Sequence, residues 1–393
     1  MPAPDVPAVT PARAVAFRVA AHGLDRRRSD ASPRSLGAAS AVALSDYPRG
    51  AAGRALAARC SGVRADTLAR ALVRGTLVRA FSLRGAAHVF AAADAGLFTG
   101  AVLPTPGDEA AAQAALGSSW PMLSRLGVPA VDVLAQVGEA VGKVAADGRP
   151  RAKGDLSSAL HGRLPDGWEP WCERCRAHHV PDLLFRLAVV AAGLRFADDG
   201  PSLVPGPVPS PADHPAARAE LVRRFLGAYA PIPAKAFAEW CGVGPAEASA
   251  SFAALGDEVV EVRVGRARAS VRSVDLSDLT SGPAGAAADG VRLVPAGDPF
   301  LQQRDRATLV PDADRRRRLW RPAGAPGLVL VDGAPAGVWR HKQDKGTTVV
   351  TVEPWSPADD GLVATVRDEA AAVLTVDRAD VRVDLDPASN GAS

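Results

Sequence analysis

The chain has 393 residues, which is too long for one ordinary hydrophobic core and indicates two to four domains. Its composition, 47% hydrophobic and 23% charged, excludes a disordered protein, and no apolar run approaches the roughly 20 residues needed to span a bilayer. The net charge is only +3, but just five of the 46 basic residues are lysines, and arginine suits phosphates and base edges better than lysine does.

The four cysteines are too few for a disulfide framework, and the N-terminal residues lack the charged and then apolar pattern of an export signal. We therefore expect a protein of the reducing cytoplasm that does not bind membranes. The excess of arginine permits DNA binding without demonstrating it, because a GC-rich genome also favours arginine over lysine throughout its proteins.

Residues 11–103 have the element order of a winged helix, which is a set of helices followed by a β-hairpin. Residues 1–10 precede it as a proline-rich tail that we expect to be disordered. Gly75 ends the last helix, because glycine enters the left-handed cap conformation at little cost. The apolar runs Leu77 to Phe81 and Ala87 to Phe90 then predict the hairpin.

Three arginines accompany this hairpin: Arg74 at the helix end, Arg79 in the first strand and Arg84 in the turn. Side chains at these places could reach DNA phosphates, although an ordinary helix and hairpin with solvated arginines fits equally well. His88 stands in the second apolar strand. Packing behind the hairpin and contact with DNA are both open interpretations for its ring.

Residues 120–200 and 212–285 repeat the order of helices and strands without repeating the sequence. The first of these segments predicts a degenerate winged helix, and residues 201–211 follow it as an extended proline-rich linker. The second contains the clearest helix-turn-helix, from Pro233 to Leu255, with glycine in its turn and proline at the start of its second helix. A hairpin that turns at Gly265-Arg266 completes the third winged helix.

The last segment, residues 286–385, is β-rich, and the pair Asp332-Gly333 predicts a tight hairpin turn within it. Its predicted strands are Val291 to Val294, Leu328 to Val331, Gly337 to Lys342 and Thr347 to Val352. The predicted fold class is therefore α+β, with three tandem winged helices followed by a β-rich C-terminal element.

Three blocks of the sequence together resemble the winged-helix DNA glycosylases of the AlkZ/YcaQ type. The run LVRAFSLRGAAHVFAAAD resembles the arginine-glycine-x-x-histidine block of that family. Residues 294–324 resemble its signature of Asp-Pro-Phe/Tyr, Arg-Asp-Arg and Trp-Arg-Pro, and GLVLVDGAPAGVWR resembles its hairpin that ends in Trp-Arg. The resemblance covers roughly residues 13–385 and implies a monofunctional DNA glycosylase acting on alkylated or crosslinked purines.

The resemblance also places a catalytic glutamine-x-glutamine or glutamine-x-aspartate motif at residues 44–48, where this chain has no glutamine. Ser45, Asp46 and Tyr47 occupy the motif region, and Asp46 is its only acid. A carboxylate there could stabilise an oxocarbenium-like sugar cation or position water. The alternative for Asp46 is a turn aspartate that bonds its own backbone. The alternative function is a non-catalytic winged-helix protein, either a transcriptional regulator or a lesion binder.

The C-terminal block concentrates arginines, and we expect a monomer whose partner is duplex DNA held through its phosphates. A solvated helix face is the alternative for the run 315–318. The arginines of this block that are expected to contact DNA are Arg304, Arg306, Arg316, Arg317, Arg318, Arg321 and Arg340.

Cys172, Cys175 and His178 form a candidate zinc site, with His161 as a conceivable fourth ligand. The chain has no second cysteine pair of the kind that standard zinc sites use, so a loop held by packing around Trp168 is the alternative. No phosphate-binding loop or glycine fingerprint follows a strand, and no nucleotide cofactor is expected.

Overall fold

The computed structural model describes residues 6–206, 213–281, 288, 290–357 and 360–386. The predicted linker at residues 201–211 therefore lies partly, from residue 207 onward, outside the described residues. The chain forms two compact units, each assembled from separate stretches of sequence. The first unit consists of Met1–Leu68, Arg224–Ala236 and Asp257–Ser393, and the second of Ala69–Arg223 and Phe237–Gly256.

The helices begin at residues that suit helix starts. Thr10, for example, accepts a hydrogen bond from the backbone N–H of Arg13 at 3.3 Å, and Pro11 fills the first helical position. The α-helices of the described residues are α1 (Pro11–Ala21), α2 (Pro33–Ala39), α3 (Ala51–Arg59), α4 (Thr67–Val73), α5 (Ala95–Thr99), α6 (Glu109–Leu116), α7 (Trp120–Leu123), α8 (Ala130–Ala145), α9 (Lys153–Ser158), α10 (Asp182–Ala191), α11 (His214–Tyr229), α12 (Ala234–Cys241), α13 (Pro245–Ala253), α14 (Leu276–Thr280), α15 (Arg306–Leu309), α16 (Ala313–Leu319) and α17 (Asp360–Leu374).

The strands include the hairpins that the sequence predicts around Gly85, Gly265 and Gly333. The strands of the described residues are β1 (Ala8–Val9), β2 (Leu44–Ser45), β3 (Leu77–Phe81), β4 (Ala87–Ala91), β5 (Trp171–Cys172), β6 (Ala177–His178), β7 (Leu194–Phe196), β8 (Leu203–Pro205), β9 (Val259–Val264), β10 (Ala267–Arg272), β11 (Val291–Val294), β12 (Gly327–Val331), β13 (Ala334–Asp344), β14 (Thr347–Pro354) and β15 (Val381–Leu385).

A five-stranded sheet, in the order β11-β12-β13-β14-β15, forms the core of the first unit. Its neighbours are antiparallel except β14 and β15, which are parallel. Asp332 and Gly333 both have positive φ, 49° and 77°, as the tight turn between β12 and β13 requires. One face of α17 packs on this sheet, because Val366, Ala370 and Val373 recur at helical spacing and are fully buried.

The N-terminal tail is not wholly disordered, which corrects the prediction for residues 1–10. Ala8 and Val9 form strand β1, which pairs in parallel with Arg263 and Val264 of β9. The strand has only two residues, and Val9 is its only buried side chain. It therefore shows no alternation in the sequence that a prediction could use.

The second unit is built around α8 and α10. The apolar stripe Val133, Val137 and Val141 of α8 is fully buried in its core. The β3–β4 hairpin and the β7–β8 pair also belong to this unit. Strand β8 (Leu203–Pro205) lies within the segment that we predicted to be a linker, so its described part is paired structure and not an extended spacer.

The mixture of helices and strands confirms the α+β class. The division into four domains, 11–103, 120–200, 212–285 and 286–385, stays a prediction. Among the described residues, no helix combines the length and the apolar character needed to cross a membrane.

Candidate functional site

Asp46 lies in the turn before α3, and its side chain is tied to the start of that helix. It is 5% exposed, and its Oδ1 accepts the backbone N–H groups of Gly50 at 2.8 Å and Ala52 at 3.3 Å. The first N–H groups of a helix lack partners inside the helix, so a carboxylate placed there satisfies them and interacts with the positive end of the helix dipole. Ser45 is also buried, whereas Tyr47 is 78% exposed.

The loop that begins the Asp-Pro-Phe block packs against this turn. Gly297 has a φ of +77°, and a Cβ built on it would lie 3.3 Å from the carbonyl oxygen of Tyr47. A side chain at position 297 would therefore be both strained and crowded. This contact brings together the turn at residues 44–48 and the Asp-Pro-Phe block, which are far apart in sequence.

Arg54 borders the same turn and His341 lies near Arg54, although no motif in the sequence marks either residue. Burial lowers the pKa of Arg54, and the nearby Asp46 carboxylate opposes that shift. Partial burial and the charge of Arg54 lower the pKa of His341, so its ring is neutral near neutral pH. The ring stacks on Trp339 with a centroid distance of 5.6 Å. The Asp46 carboxylate thus has a guanidinium beside it, and that guanidinium has a neutral imidazole near it.

Asp298, the acid of the Asp-Pro-Phe block, belongs to the scaffold. Its two oxygens accept one hydrogen bond each from Arg59 of α3, at 2.7 Å, and the two side chains are 0% and 2% exposed. Asp298 also accepts the backbone N–H of Phe300 at 2.9 Å. Burial alone would lower the pKa of Arg59, but the pairing with Asp298 raises it overall. The pair therefore fixes α3 to the loop that adjoins Tyr47.

A second buried arginine organises the Arg-Asp-Arg block. Arg18 of α1 donates to Gln303 at 2.8 Å and to Asp305 at 2.9 Å. It also donates to the main-chain carbonyls of Tyr229 at 2.9 Å and Pro231 at 2.7 Å. Burial lowers the pKa of Arg18, and Asp305 opposes the shift. Asp305 thus pairs with an arginine from the other end of the chain.

Three of the predicted DNA-binding arginines lie together on the surface of the first unit, and we call Arg318, Arg321 and Arg340 the arginine cluster. All three are exposed. Partial burial and the charges of Arg321 and Arg318 lower the pKa of Arg340, which places the three guanidinium groups near one another. Arg318 also pairs with Glu353, and Arg321 donates to the carbonyl of Gly324 at 2.6 Å. Such a concentration of positive charge suits a phosphate backbone.

The remaining arginines of the C-terminal block contact their own surroundings. Arg304 and Arg306 are half-buried, and the Arg306 guanidinium lies 5.1 Å from the centre of the Trp320 ring. Arg316 donates to two main-chain carbonyls that precede α16, which argues against a phosphate contact. Arg317 is exposed and pairs with Asp314 one turn earlier, as is typical of a solvated helix face.

Two of the three hairpin arginines have structural contacts in the second unit. Arg79 is 6% exposed and donates to the carbonyl of Ala197 at 3.2 Å. Arg84 is half-buried and donates to the carbonyl of Trp240. These contacts argue against phosphate binding by either residue. Arg74, at the end of α4, is exposed and remains a predicted DNA contact.

His88 packs behind the hairpin, and its burial argues against the predicted contact with DNA. Its side chain is fully buried, and its Nδ1 lies 3.0 Å from the carbonyl oxygen of Ala86. Burial lowers the pKa of His88 to about 4, so the ring is neutral at neutral pH.

The candidate metal ligands are Cys172, Cys175 and His179. Their ligand atoms all lie within 4.8 Å of one another. Hydrogen bonding from the backbone of Cys175 is the largest cause that lowers the pKa of Cys172, to about 7. His178, the predicted third ligand, is exposed and its Nδ1 bonds a main-chain carbonyl at 2.9 Å. His161, the conceivable fourth ligand, instead pairs with a glutamate carboxylate at 3.3 Å. The sequence could not rank His178 against His179, because the choice depends on ring placement.

Comparisons with known proteins identify a family and a solved structure that this chain resembles. The family model described as "DNA glycosylase AlkZ-like" matches residues 38–376. Among solved structures, Streptomyces sahachiroi DNA glycosylase AlkZ is 20% identical with a TM-score of 0.70, and the alignment covers 95% of this chain and 99% of that chain, which shows a shared fold. The comparison with curated proteins finds no match. Because the family model spans most of the sequence, the chain belongs to the AlkZ-like DNA glycosylase family.

Proposed function

We propose that this protein is a monofunctional DNA glycosylase that releases alkylated or crosslinked purines from duplex DNA, acting as a monomer in the cytoplasm. Family membership supports the reaction class. The observation that carries the proposal is the carboxylate of Asp46. It lies within residues 44–48, where the family resemblance implies the catalytic motif, and is held by Gly50 and Ala52 beside the exposed Tyr47.

The scaffold in this proposal consists of three tandem winged helices followed by the C-terminal sheet. The order of elements along the chain supports it. Helices α3 and α4 precede the β3–β4 hairpin, helices α8 to α10 precede β7 and β8, and helices α11 to α13 precede the β9–β10 hairpin. Helix, helix and hairpin is the order that a winged helix requires. We assign phosphate contacts to the arginine cluster in the first unit and to Arg74 in the second.

Cleavage of an N-glycosidic bond moves the bonding electrons to the purine, and positive charge develops on the sugar. Alkylation at N7 makes the purine cationic and therefore a good leaving group. The protein then needs to supply little more than a negative charge near the sugar and a positioned water molecule. Asp46 fills this role because its two backbone hydrogen bonds fix the carboxylate before the substrate binds. Water adds its hydroxyl to C1′ and loses a proton, so the products are the free base and an abasic site.

Arg54 and His341 are the polar side chains that we assign to the DNA beside Asp46. Arg54 keeps its charge and suits a phosphate oxygen. The neutral ring of His341 is a hydrogen-bond partner without a charge that would oppose the developing sugar cation. Tyr47 presents an exposed aromatic ring next to the carboxylate, and such a ring can stack on an unpaired base.

A non-catalytic DNA-binding protein is the second candidate function, and two observations favour it. Residues 44–48 contain no glutamine, and the two hydrogen bonds of Asp46 also suit a purely structural turn. Such a protein would bind a lesion through the same arginines and release no base.

The deciding experiment incubates the purified protein with duplex DNA that carries N7-alkylated guanine and reveals abasic sites with heat and alkali. An Asp46→Asn variant keeps an oxygen in place of Oδ1, so both backbone hydrogen bonds can survive while the charge is lost. We expect DNA affinity to stay nearly constant while base release falls by about a hundredfold, the usual scale for losing an electrostatic catalytic group.

The matched control is Asp30→Asn, because Asp30 also accepts local hydrogen bonds in a turn, from Ser32 and Ser35, but is exposed. It should keep full activity. Equal activity of wild type and Asp46→Asn would remove Asp46 from the chemistry. Wild-type protein that binds DNA and releases no base from any alkylated substrate would establish the second candidate.

A further inference from the structure

A short hairpin in the second unit carries a group of side chains that DNA binding and base release do not use. Strands β5 and β6 pair Trp171 with His178 and Cys172 with Ala177. Cys175 stands in the turn between these strands, and His179 follows them. The thiols and the His179 ring bring one ligand atom each to within 4.8 Å of one another.

The backbone of this turn folds back onto Cys172, the first cysteine of the pair. Arg176, directly after Cys175, has a φ of 52°, and its N–H donates to the carbonyl of Cys172 at 2.7 Å. The backbone N–H groups of Arg174 and Cys175 point at the sulfur of Cys172. Convergent N–H groups stabilise a thiolate, which is the form of cysteine that binds metals. The turn therefore presents backbone N–H groups to the sulfur that would bind the metal.

The ring of His179 is oriented like a metal ligand. Its Nδ1 lies 2.8 Å from the carbonyl oxygen of Val180, which fixes the proton on that nitrogen. Its Nε2 is buried, makes no hydrogen bond of ordinary geometry within the described part of the chain, and faces Cys172. Histidines that bind metals commonly donate one ring N–H to a backbone carbonyl and bind through the other nitrogen. His178 differs because its ring is exposed.

We propose that Cys172, Cys175 and His179 bind a zinc ion. Two thiolates and one imidazole are ligands that zinc prefers, and a spacing of two residues between the cysteines is typical of its sites. The three residues border a cleft of about 600 Å³ that is also lined by Lys153 and Phe185. With three protein ligands, the fourth position of a tetrahedral ion faces this cleft and takes water or another small donor.

The site has a structural consequence within the second unit. The segment that holds the ligands leads directly into α10, and Arg186 of that helix donates to the carbonyl of Gly85 at 3.1 Å. A Cβ built on Gly85 would lie 2.8 Å from Leu183, also in α10. Zinc therefore orders the segment that positions the helix behind the arginine-glycine turn of the β3–β4 hairpin.

The test uses fully reduced, full-length protein that has been stripped of metal and then titrated with Co²⁺ as a spectroscopic substitute for Zn²⁺. Tetrahedral Co²⁺ with thiolate ligands gives intense visible and near-ultraviolet bands, and zinc added afterwards should displace it at about one equivalent. Protein purified without chelators should contain about one equivalent of zinc by elemental analysis.

Matched variants identify the ligands. We expect Cys172→Ser, Cys175→Ser and His179→Ala each to weaken Co²⁺ binding at least about a hundredfold, because each removes a ligand. The neighbouring His178→Ala and the buried-thiol variants Cys60→Ser and Cys241→Ser should bind as wild type does. Cys175 is exposed, so Cys175→Ser tests the site without disturbing the core.

Three results would overturn the proposal: reduced wild-type protein without thiolate bands, equal losses in His178→Ala and His179→Ala, or a Cys172–Cys175 disulfide whose reduction restores no metal binding. The last outcome would assign the pair to thiol–disulfide exchange. A rise in melting temperature on adding zinc, absent in Cys175→Ser, would support the proposal.

Discussion

The ion pair between Arg59 and Asp298 should contribute strongly to the stability of the first unit, and Asp298→Asn is the perturbation that tests this. The asparagine has the same shape as the aspartate and can still accept the N–H of Phe300. It loses the negative charge, and its amide group turns N–H donors toward the guanidinium of Arg59. Arg59 is 2% exposed, so the variant leaves a buried positive charge without its partner.

The expected magnitude follows from that burial. Removing one partner of a buried, hydrogen-bonded ion pair costs about 3–5 kcal/mol of unfolding free energy. In a unit of this size, each kcal/mol lowers the melting temperature by roughly 2–4 °C, so a fall of about 10 °C is expected. Arg59→Met should cost a similar amount, since Asp298 would then be buried with only its backbone contact. The double variant should cost less than the sum of the two, by about 2 kcal/mol, because no unpaired charge is left.

Scanning calorimetry is the assay, since it resolves separate transitions for separate units. The control is Asp384→Asn, because Asp384 also pairs with an arginine, Arg382, at 3.1 Å, but both side chains are about half exposed. Exposed pairs contribute little, and no measurable change is expected from the control. Equal effects of Asp298→Asn and Asp384→Asn, or strictly additive losses in the double variant, would refute the reasoning.

Three further predictions concern the hairpin, the arginine cluster and His88. Arg74→Ala should reduce the slope of log binding constant against log salt concentration by about one unit. Arg84→Ala should leave this slope unchanged and lower the thermal stability, because the Arg84 guanidinium bonds the carbonyl of Trp240. Replacing Arg318, Arg321 and Arg340 together by Ala should flatten the slope by about three units, while the same change at the exposed, ion-paired Arg268, Arg378 and Arg382 should not. The pKa of His88 is lowered from 6.5 to about 4 in the folded protein, so the free energy of unfolding should fall by about 3 kcal/mol as the pH drops from 6.5 to 4. Urea unfolding measures this dependence, and the His88→Gln variant should lack it.

Local signals in the sequence predicted the hairpins and most of the helices. The Asp332-Gly333 turn is an example, because two consecutive residues with positive φ strongly favour this pair whatever lies elsewhere in the chain. The helix-turn-helix elements α12 and α13 were predicted for a similar reason, since glycine and proline mark the turn and the helix start. In each case the residues that determine the structure are neighbours in sequence.

The functions of individual charges depend on distant residues, and the sequence could not provide them. Arg18 was not assigned to any site, yet it pairs with Asp305 near the other end of the chain. Arg79 and Arg84 occupy positions typical of DNA-contacting residues, but their guanidinium groups bond carbonyls of other segments of the second unit. Arg54 belongs to no recognisable motif, and it lies near Asp46 only in the folded chain. The identity of a charged residue does not reveal whether its side chain contacts solvent, DNA or a buried partner.

The signature residues and the candidate catalytic residue have separable roles in this chain. Asp298 and Asp305 bind buried arginines, and Gly297 makes room for the turn that contains Tyr47. These contacts position α3 and the turn before it, and they need no particular side chain at positions 44 and 45. The absence of glutamines is therefore compatible with an intact scaffold, while in the proposed mechanism the chemistry depends on the single charge of Asp46. It follows that Asp46→Asn should reduce base release with only a small fall in melting temperature, from the lost interaction with the helix dipole. Asp298→Asn should instead lower the melting temperature strongly and retain base release wherever the protein is still folded.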